Sequence, residues 1–206
     1  MEIIQLPVGP LGTNCYIVIS KEEHVAMVID PGGNGGDILR ILREKNAVLT
    51  YIVNTHGHAD HIAANGILAE ATGAAVLIHE ADAAMLTSPH RNLSTFIGDA
   101  VILKPADSFL KAGDVLTLGS LSFAILETPG HTPGGLSLYG EGVLFSGDTL
   151  FAESVGRTDF PGGSHQQLLA SIQEQLFALP GETKVLPGHG PSTTIGWEKE
   201  HNPFIF

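Results

Sequence analysis

The residues best able to do chemistry crowd into one hexapeptide of this 206-residue chain, His56-Gly57-His58-Ala59-Asp60-His61, which places four candidate metal ligands within six positions. Imidazoles clustered with a carboxylate are donor types that suit zinc or iron. A lone histidine is usually structural or solvated, but three of them interleaved with an aspartate, at a turn between a strand and a helix, can aim several side chains at one point. Three further candidates share a local context: His131 in Thr128-Pro129-Gly130-His131-Thr132, Asp148 in Phe145-Ser146-Gly147-Asp148-Thr149, and His189 in Leu186-Pro187-Gly188-His189-Gly190. Each is expected at the C-terminal end of a strand beside a glycine, which lets backbone approach closely at a crowded site. Any one of them alone reads equally well as a turn residue. The repetition of strand, glycine and ligand points to a shared centre.

The elements that must position these groups are legible from period and punctuation. Short β-rich runs at 3–6, 15–19 and 25–29 are bounded by Gly, Pro, Ser or Asp and predict antiparallel pairing. Residues 37–45 read as an amphipathic helix, 51–53 as a β-branched strand that delivers the histidine cluster, and 62–71 as a helix stopped by Gly73. A strand at 76–78 and a short helix near 81–86 precede a polar stretch, 88–94, expected as a surface loop. Strands at 115–118, 122–126, 136–139 and 143–145, a helix at 168–177 and a strand at 184–186 complete a mixed order. His24, His90 and His201 read as surface residues, while His79 and His165 stand at element ends. Cys15 falls inside an apolar strand pattern and reads as a buried, unreactive thiol.

Composition narrows the function. Hydrophobic residues at 43% and charged ones at 16% are ordinary for a folded domain and exclude a disordered or fibrous chain. A formal net charge of −12 is repulsive towards nucleic acid and anionic membranes, so neither is an expected partner. The N-terminus shows no basic region followed by an apolar run, no stretch is long enough to span a bilayer, and the single cysteine cannot form an internal disulfide. These features predict a cytoplasmic protein, monomer or homodimer, acting on a small molecule.

The pattern His-x-His-x-Asp-His followed by His, Asp and His resembles the metallo-β-lactamase superfamily, and Asp30 in Val28-Ile29-Asp30-Pro31-Gly32 matches its early acidic motif. The segments Gly9-Pro10-Leu11-Gly12-Thr13-Asn14-Cys15-Tyr16 and Gly156-Arg157-Thr158-Asp159-Phe160-Pro161-Gly162-Gly163 are similar to the short glyoxalase II-like (hydroxyacylglutathione hydrolase-like) branch. The resemblance implies an αββα sandwich, two mixed β-sheets flanked by helices, over a single domain, 1–206, without the C-terminal helical domain of full-length glyoxalase II. It implies that His56, His58 and His131 hold one metal, that Asp60, His61 and His189 hold a second, and that Asp148 bridges them. Asp30 would orient a ligand by hydrogen bonding.

By the same resemblance, two divalent ions, zinc ahead of iron or manganese, would hold a hydroxide that attacks a thioester, with Asp60 and Asp148 as catalytic carboxylates. The alternative is a persulfide dioxygenase using a lone iron. A β-lactamase is disfavoured by the missing signal peptide and by aspartate rather than cysteine at 148, and an RNA-processing nuclease by the net charge. Arg157 matches the family's basic substrate contact and could fork a carboxylate. The two tyrosines that hold glutathione in full-length enzymes correspond to Asp159 and Pro191, neither of which keeps a phenolic donor. Asp159 would repel an anionic thiol unless Arg157 neutralises it.

Overall fold

The computed structural model describes residues 1–205; Phe206, the last residue of the expected domain, lies outside the described residues. β1 (Glu2–Val8) pairs antiparallel with β2 (Thr13–Ser20), and β2 with β3 (Val25–Ile29), as the punctuation predicts. Side chains of β2 alternate between two apolar environments: Tyr16 and Val18 enter one buried cluster, Cys15, Ile17 and Ile19 another. A strand buried on both faces needs a layer on each side. α1 (Gly35–Glu44) supplies one such layer and crosses over to β4 (Val48–Val53), parallel to β3.

α2 (Ala59–Ile62) and α3 (Asn65–Thr72) lead to β5 (Ala75–Ile78), parallel to β4. After α4 (Ala83–Leu86) and α5 (Ser94–Ile97), the two-residue β6 (Ser108–Phe109) closes a six-stranded sheet ordered β1-β2-β3-β4-β5-β6.

The second sheet begins as an antiparallel run of β7 (Val115–Leu118), β8 (Leu121–Glu127), β9 (Leu136–Gly140) and β10 (Val143–Gly147). β9 and β10 are joined through Glu141 and Gly142, both at positive φ (53° and 76°), the backbone that a tight two-residue hairpin requires. A small hairpin, β11 (Leu150–Phe151) with β12 (Ser154–Val155), leads into α6 (His165–Ser171). β13 (Lys184–Pro187) then runs parallel to β10, β14 (Thr193–Thr194) pairs with β13, and α7 (Ile195–His201) follows. The order is β14-β13-β10-β9-β8-β7.

The layers follow from the apolar clusters. Met27, Val53 and Leu77 of the first sheet meet Phe123, Leu138 and Phe145 of the second between the sheets. Ile17, Val28 and Ile52 pack outward on Ile38 and Leu42 of α1 and Leu68 of α3. Leu144 and Val185 pack outward on Leu168, Ile172 and Ile195. The result is the expected four-layer αββα sandwich. Among the described residues no helix is long and apolar enough to cross a membrane.

Three local expectations change. The helix expected over 62–71 is two pieces because the Ala64 amide donates to Pro31 O (2.8 Å) instead of continuing the helical ladder, while the buried Asn65 pairs with Asn54. The helix expected over 168–177 starts earlier, where the Ser164 side chain accepts from Gln167 N, and its last turn, Ile172–Leu176, is π-helical. The polar stretch 88–94 is not simply a surface loop: Asn92 and Ser94 are buried. The Asn92 side chain donates to Met85 O and Val101 O, and the Asn92 backbone carbonyl accepts from Ala59 N, so this polar segment is packed beneath the histidine turn.

Candidate metal centre

All seven expected ligand positions stand at strand ends along one edge of the sandwich. His56, His58, Asp60 and His61 follow β4 and occupy the start of α2, His131 follows β8, Asp148 follows β10 and His189 follows β13. Three groups could each hold a cation: His56 with His58 and His131, His56 with His61 and Asp148, and Asp60 with His61 and His189, the donor atoms of each group lying within 4.8 Å of one another. His58 Nδ1 is 2.9 Å from His131 Nε2. His189 Nε2 and His61 Nε2 are 3.2 and 3.4 Å from Asp60 Oδ2. Asp148 spans the groups, with Oδ1 3.4 Å from His61 Nε2 and Oδ2 3.6 Å from His131 Nε2.

The residues behind the ligands fix which nitrogen faces inward. The buried Asp30 carboxylate accepts from Thr55 N (2.7 Å) and Thr55 Oγ1 (2.6 Å), and its Oδ2 lies 3.0 Å from His61 Nδ1. Thr55 Oγ1 in turn lies 3.2 Å from His56 Nδ1. With those ring positions donating outward, the Nε2 lone pairs of both histidines turn inward. His131 is oriented in the same way, its Nδ1 2.6 Å from the Arg157 carbonyl. Asp30 therefore stands behind both His61 and, through Thr55, His56, and it sits at φ 52°.

A cation fits this donor set. His56 Nε2, His61 Nε2 and Asp148 Oδ1 are buried and have no protein hydrogen-bond partner. Buried polar atoms without partners are rare and costly, and a cation would satisfy all three. The Gly188 backbone forms the adjoining wall, where a Cβ would run into Asp148 Oδ1 and His61 Cε1. Only glycine leaves room there.

Electrostatics divides the histidines. Burial, reinforced by the neighbouring imidazoles, holds His56 well below its ordinary value, and burial with His131 pushes His58 down to about 3. Both rings are neutral at physiological pH, the form that ligates. Burial would lower His61 too, but the Asp60, Asp148 and Asp30 carboxylates push it up to about 10. Burial would raise Asp60, yet the His61 charge and hydrogen bonds from His189 and Thr13 hold it below the usual carboxylate range.

Several supporting residues escaped the sequence reading. Thr13 Oγ1 donates to Asp60 Oδ2 (3.0 Å). Asn14 Nδ2 donates to Pro187 O (3.0 Å) and Gly190 O (2.9 Å), and Tyr16 OH to Pro187 O (2.8 Å), so the Gly12–Tyr16 motif pins the loop that carries His189. The fully buried Asp82 accepts from Gly57 N (3.1 Å) and Gly134 N (2.7 Å), tying the hexapeptide turn to the His131 turn. Burial raises the Asp82 pKa. The motif itself was visible in the sequence, whereas Asp82 carried no local signal.

Other expected residues stand apart. His79 accepts from Ala81 N (3.1 Å) and faces Glu127, while His24, His90, His165 and His201 are exposed. Cys15 is fully buried, and burial lifts its thiol well above the ordinary value, so it stays protonated. Arg157 lines the cavity beside the centre, and the exposed Asp159 pairs with it.

Comparison with known proteins agrees with this geometry. The family model for the metallo-beta-lactamase superfamily matches residues 8–189. A probable metallo-hydrolase, YqgX of Bacillus subtilis (strain 168), is 38% identical over 100% of this chain and 98% of its own length. Hydroxyacylglutathione hydrolase GloC of Haemophilus influenzae is 35% identical, again over 100% of this chain and 98% of its own. The crystal structure of BLEG-1 B3 metallo-beta-lactamase superposes with a TM-score of 0.94 at 40% identity, covering 99% of each chain. The chain belongs to the metallo-β-lactamase superfamily. Its fold, its family and its histidine and aspartate groups together mark it as a metallo-hydrolase built for divalent metal.

Proposed function

We propose that residues 1–206 form one catalytic unit that hydrolyses small-molecule thioesters, in the manner of a hydroxyacylglutathione hydrolase. The observation that carries this reading is the pair of ligand groups spanned by Asp148, with three buried donor atoms that no protein group satisfies. His56, His58 and His131 would hold one cation, Asp60, His61 and His189 the other, and Asp148 would lie between them. Two divalent ions, zinc in the first instance, would supply hydroxide at neutral pH and a Lewis acid for a carbonyl oxygen.

The chain's own groups do the rest. Asp30 and Thr55 keep Nε2 of His56 and His61 turned inward, and the Arg157 carbonyl does the same for His131. Asp60 and Asp148 would be the carboxylates that orient the attacking water and take up its proton. A cavity of about 280 Å³ beside them, with Leu11, Leu93, Phe151 and Phe160 in its wall, receives the acyl ester.

The Asp60, His61 and His189 group, which could hold a second cation, supports this reading over a lone-iron oxygenase. β-Lactam hydrolysis is the second reading, supported by the likeness to BLEG-1. Metal-loaded protein should be assayed against acyl thioesters of glutathione and of N-acetylcysteamine and against a chromogenic cephalosporin, with oxygen uptake followed in parallel. The expected result is thioester cleavage without oxygen consumption. Absence of thioester cleavage by fully loaded protein would overturn the proposal, and cephalosporin cleavage alone would establish the second reading.

A further inference from the structure

We propose that Thr13 is a positioning residue for one cation site and not the other: its hydroxyl holds Asp60 where the Asp60, His61 and His189 group can take metal, while the His56, His58 and His131 group forms without it. This rests on the two-cation reading and divides the centre into two separately supported halves.

Thr13 opens β2 and is fully buried, opposite Val8 in the β1–β2 pairing. Its Oγ1 donates to Asp60 Oδ2 at 3.0 Å, across 47 residues of sequence. That oxygen is the one lying 3.4 Å from His61 Nε2 and 3.2 Å from His189 Nε2. Each oxygen of an ionised carboxylate can accept more than once, so a single hydrogen bond fixes the rotation of the group and still leaves Oδ2 able to meet a cation. Threonine suits this task because its branched side chain is stiff at χ1. The next residue of the strand serves the other end of the same group. Asn14 N donates to Gly188 O (2.7 Å) and its side-chain amide to Pro187 O and Gly190 O, so these bonds flank His189 on both sides. The Asn14 side-chain oxygen accepts from Gln5 Nε2 (2.8 Å), which fixes the orientation of the amide.

The other group is supported from elsewhere. Thr55 Oγ1 stands behind His56, the Arg157 carbonyl behind His131, and Asp82 joins the Gly57 and Gly134 turns. Among the described residues neither Thr13 nor Asn14 hydrogen-bonds to His56, His58 or His131. Removing the Thr13 hydroxyl therefore releases the Asp60 carboxylate while every partner that orients the His56, His58 and His131 group stays in place. Partners behind a ligand set its orientation and hence its affinity for metal, so the loss should fall on one site.

The test measures metal binding, so it does not depend on turnover. Chelator-treated full chain is titrated with zinc against a chromophoric chelator, and with cobalt(II) followed by its absorption, for wild type, Thr13→Val, Thr13→Ala, Thr13→Ser and Asp60→Asn. Circular dichroism checks the fold of each. Wild type is expected to take up two equivalents. Thr13→Val and Thr13→Ala should keep one affinity and weaken the other about 10- to 100-fold, while Thr13→Ser, which retains the hydroxyl, should stay within about threefold of wild type. The site that survives in Thr13→Val should give the same cobalt(II) spectrum as the site that survives in Asp60→Asn. Wild-type affinities in both hydroxyl-free variants, equal weakening of both sites, a mismatched spectrum, no rescue by Thr13→Ser, or unfolding of both hydroxyl-free variants overturns the proposal. A wild type that takes up a single equivalent overturns the two-cation reading with it. Two equivalents in wild type, unmoved by Thr13→Val and Thr13→Ala, leave that reading standing and refute the role of Thr13 alone.

Discussion

Asp30 Oδ2 lies 3.0 Å from Nδ1 of His61, on the side of the ring opposite the inward-facing Nε2. The same oxygen accepts from Thr55 Oγ1, which reaches His56 Nδ1, so one carboxylate sets the orientation of two ligands through two short paths. Asp30→Asn should lower metal affinity about 10- to 100-fold, the usual consequence of losing a partner behind a ligand. Asparagine tolerates the left-handed backbone at φ 52°, so the fold should be kept. Chelator competition measures the affinity and circular dichroism the fold. Wild-type affinity in a folded Asp30→Asn protein would refute the hub role.

Asp82 joins two ligand turns that are distant in sequence, accepting from Gly57 N and Gly134 N. Removing the carboxylate leaves two buried amides without partners, at about 1–3 kcal/mol each, partly offset by relief of a buried charge. Asp82→Ala should therefore destabilise the protein by about 2–4 kcal/mol, and thermal melting should show a fall in Tm of roughly 5–12 °C. An unchanged melting curve would mean that Asp82 does not hold these turns together.

Gly188→Ala probes the wall of the centre. The new methyl group would press on Asp148 Oδ1 and His61 Cε1. Metal content should fall while secondary structure is retained, because the collision lies at a loop and not in the core. Normal metal content in Gly188→Ala would show that the wall can yield.

Proton release gives a pH signature. His61 is held at about 10 by Asp60, Asp148 and Asp30 against the effect of burial, and His189 is also raised, its burial outweighed by Asp60 and Asp148. His61 therefore carries a proton at neutral pH in metal-free protein and must lose it to ligate, and the raised His189 holds its proton more tightly than an ordinary imidazole. In that metal-free form the raised His61 stabilises the fold fully below about pH 6.5, and this contribution is lost as pH rises through about 10. Metal titrations between pH 6 and 8 should show affinity rising with pH, by about tenfold per unit for each proton released. Affinity independent of pH would mean that His61 is already neutral.

The candidate ligands were legible in the sequence because their side-chain types are chemically specific and each follows an apolar run that ends at a glycine-rich turn. The sandwich was legible through its resemblance and through the punctuated apolar runs that form β2 and β3. Support across long sequence separations was not: Asp82 lies 25 residues from Gly57 and 52 from Gly134, and no periodic pattern links them. Asn92 was read as solvent-facing because its neighbours are polar, yet backbone carbonyls of Met85 and Val101 satisfy it inside. β11, β12 and β14, at two residues each, are shorter than any window in which alternation can be recognised. Asn202 likewise shows its role only in three dimensions. Asn202 is buried and donates to Ser154 O and Glu198 Oε2, fastening α7 to the β11–β12 hairpin.

The most direct test of the two-cation centre is to add zinc stepwise to chelator-treated protein and follow anaerobic thioester cleavage together with bound metal. Activity should reach its maximum at two equivalents, and Asp148→Ala should retain its fold while binding less than one equivalent tightly. Full activity at one equivalent, or wild-type metal content in Asp148→Ala, would contradict the bridged centre.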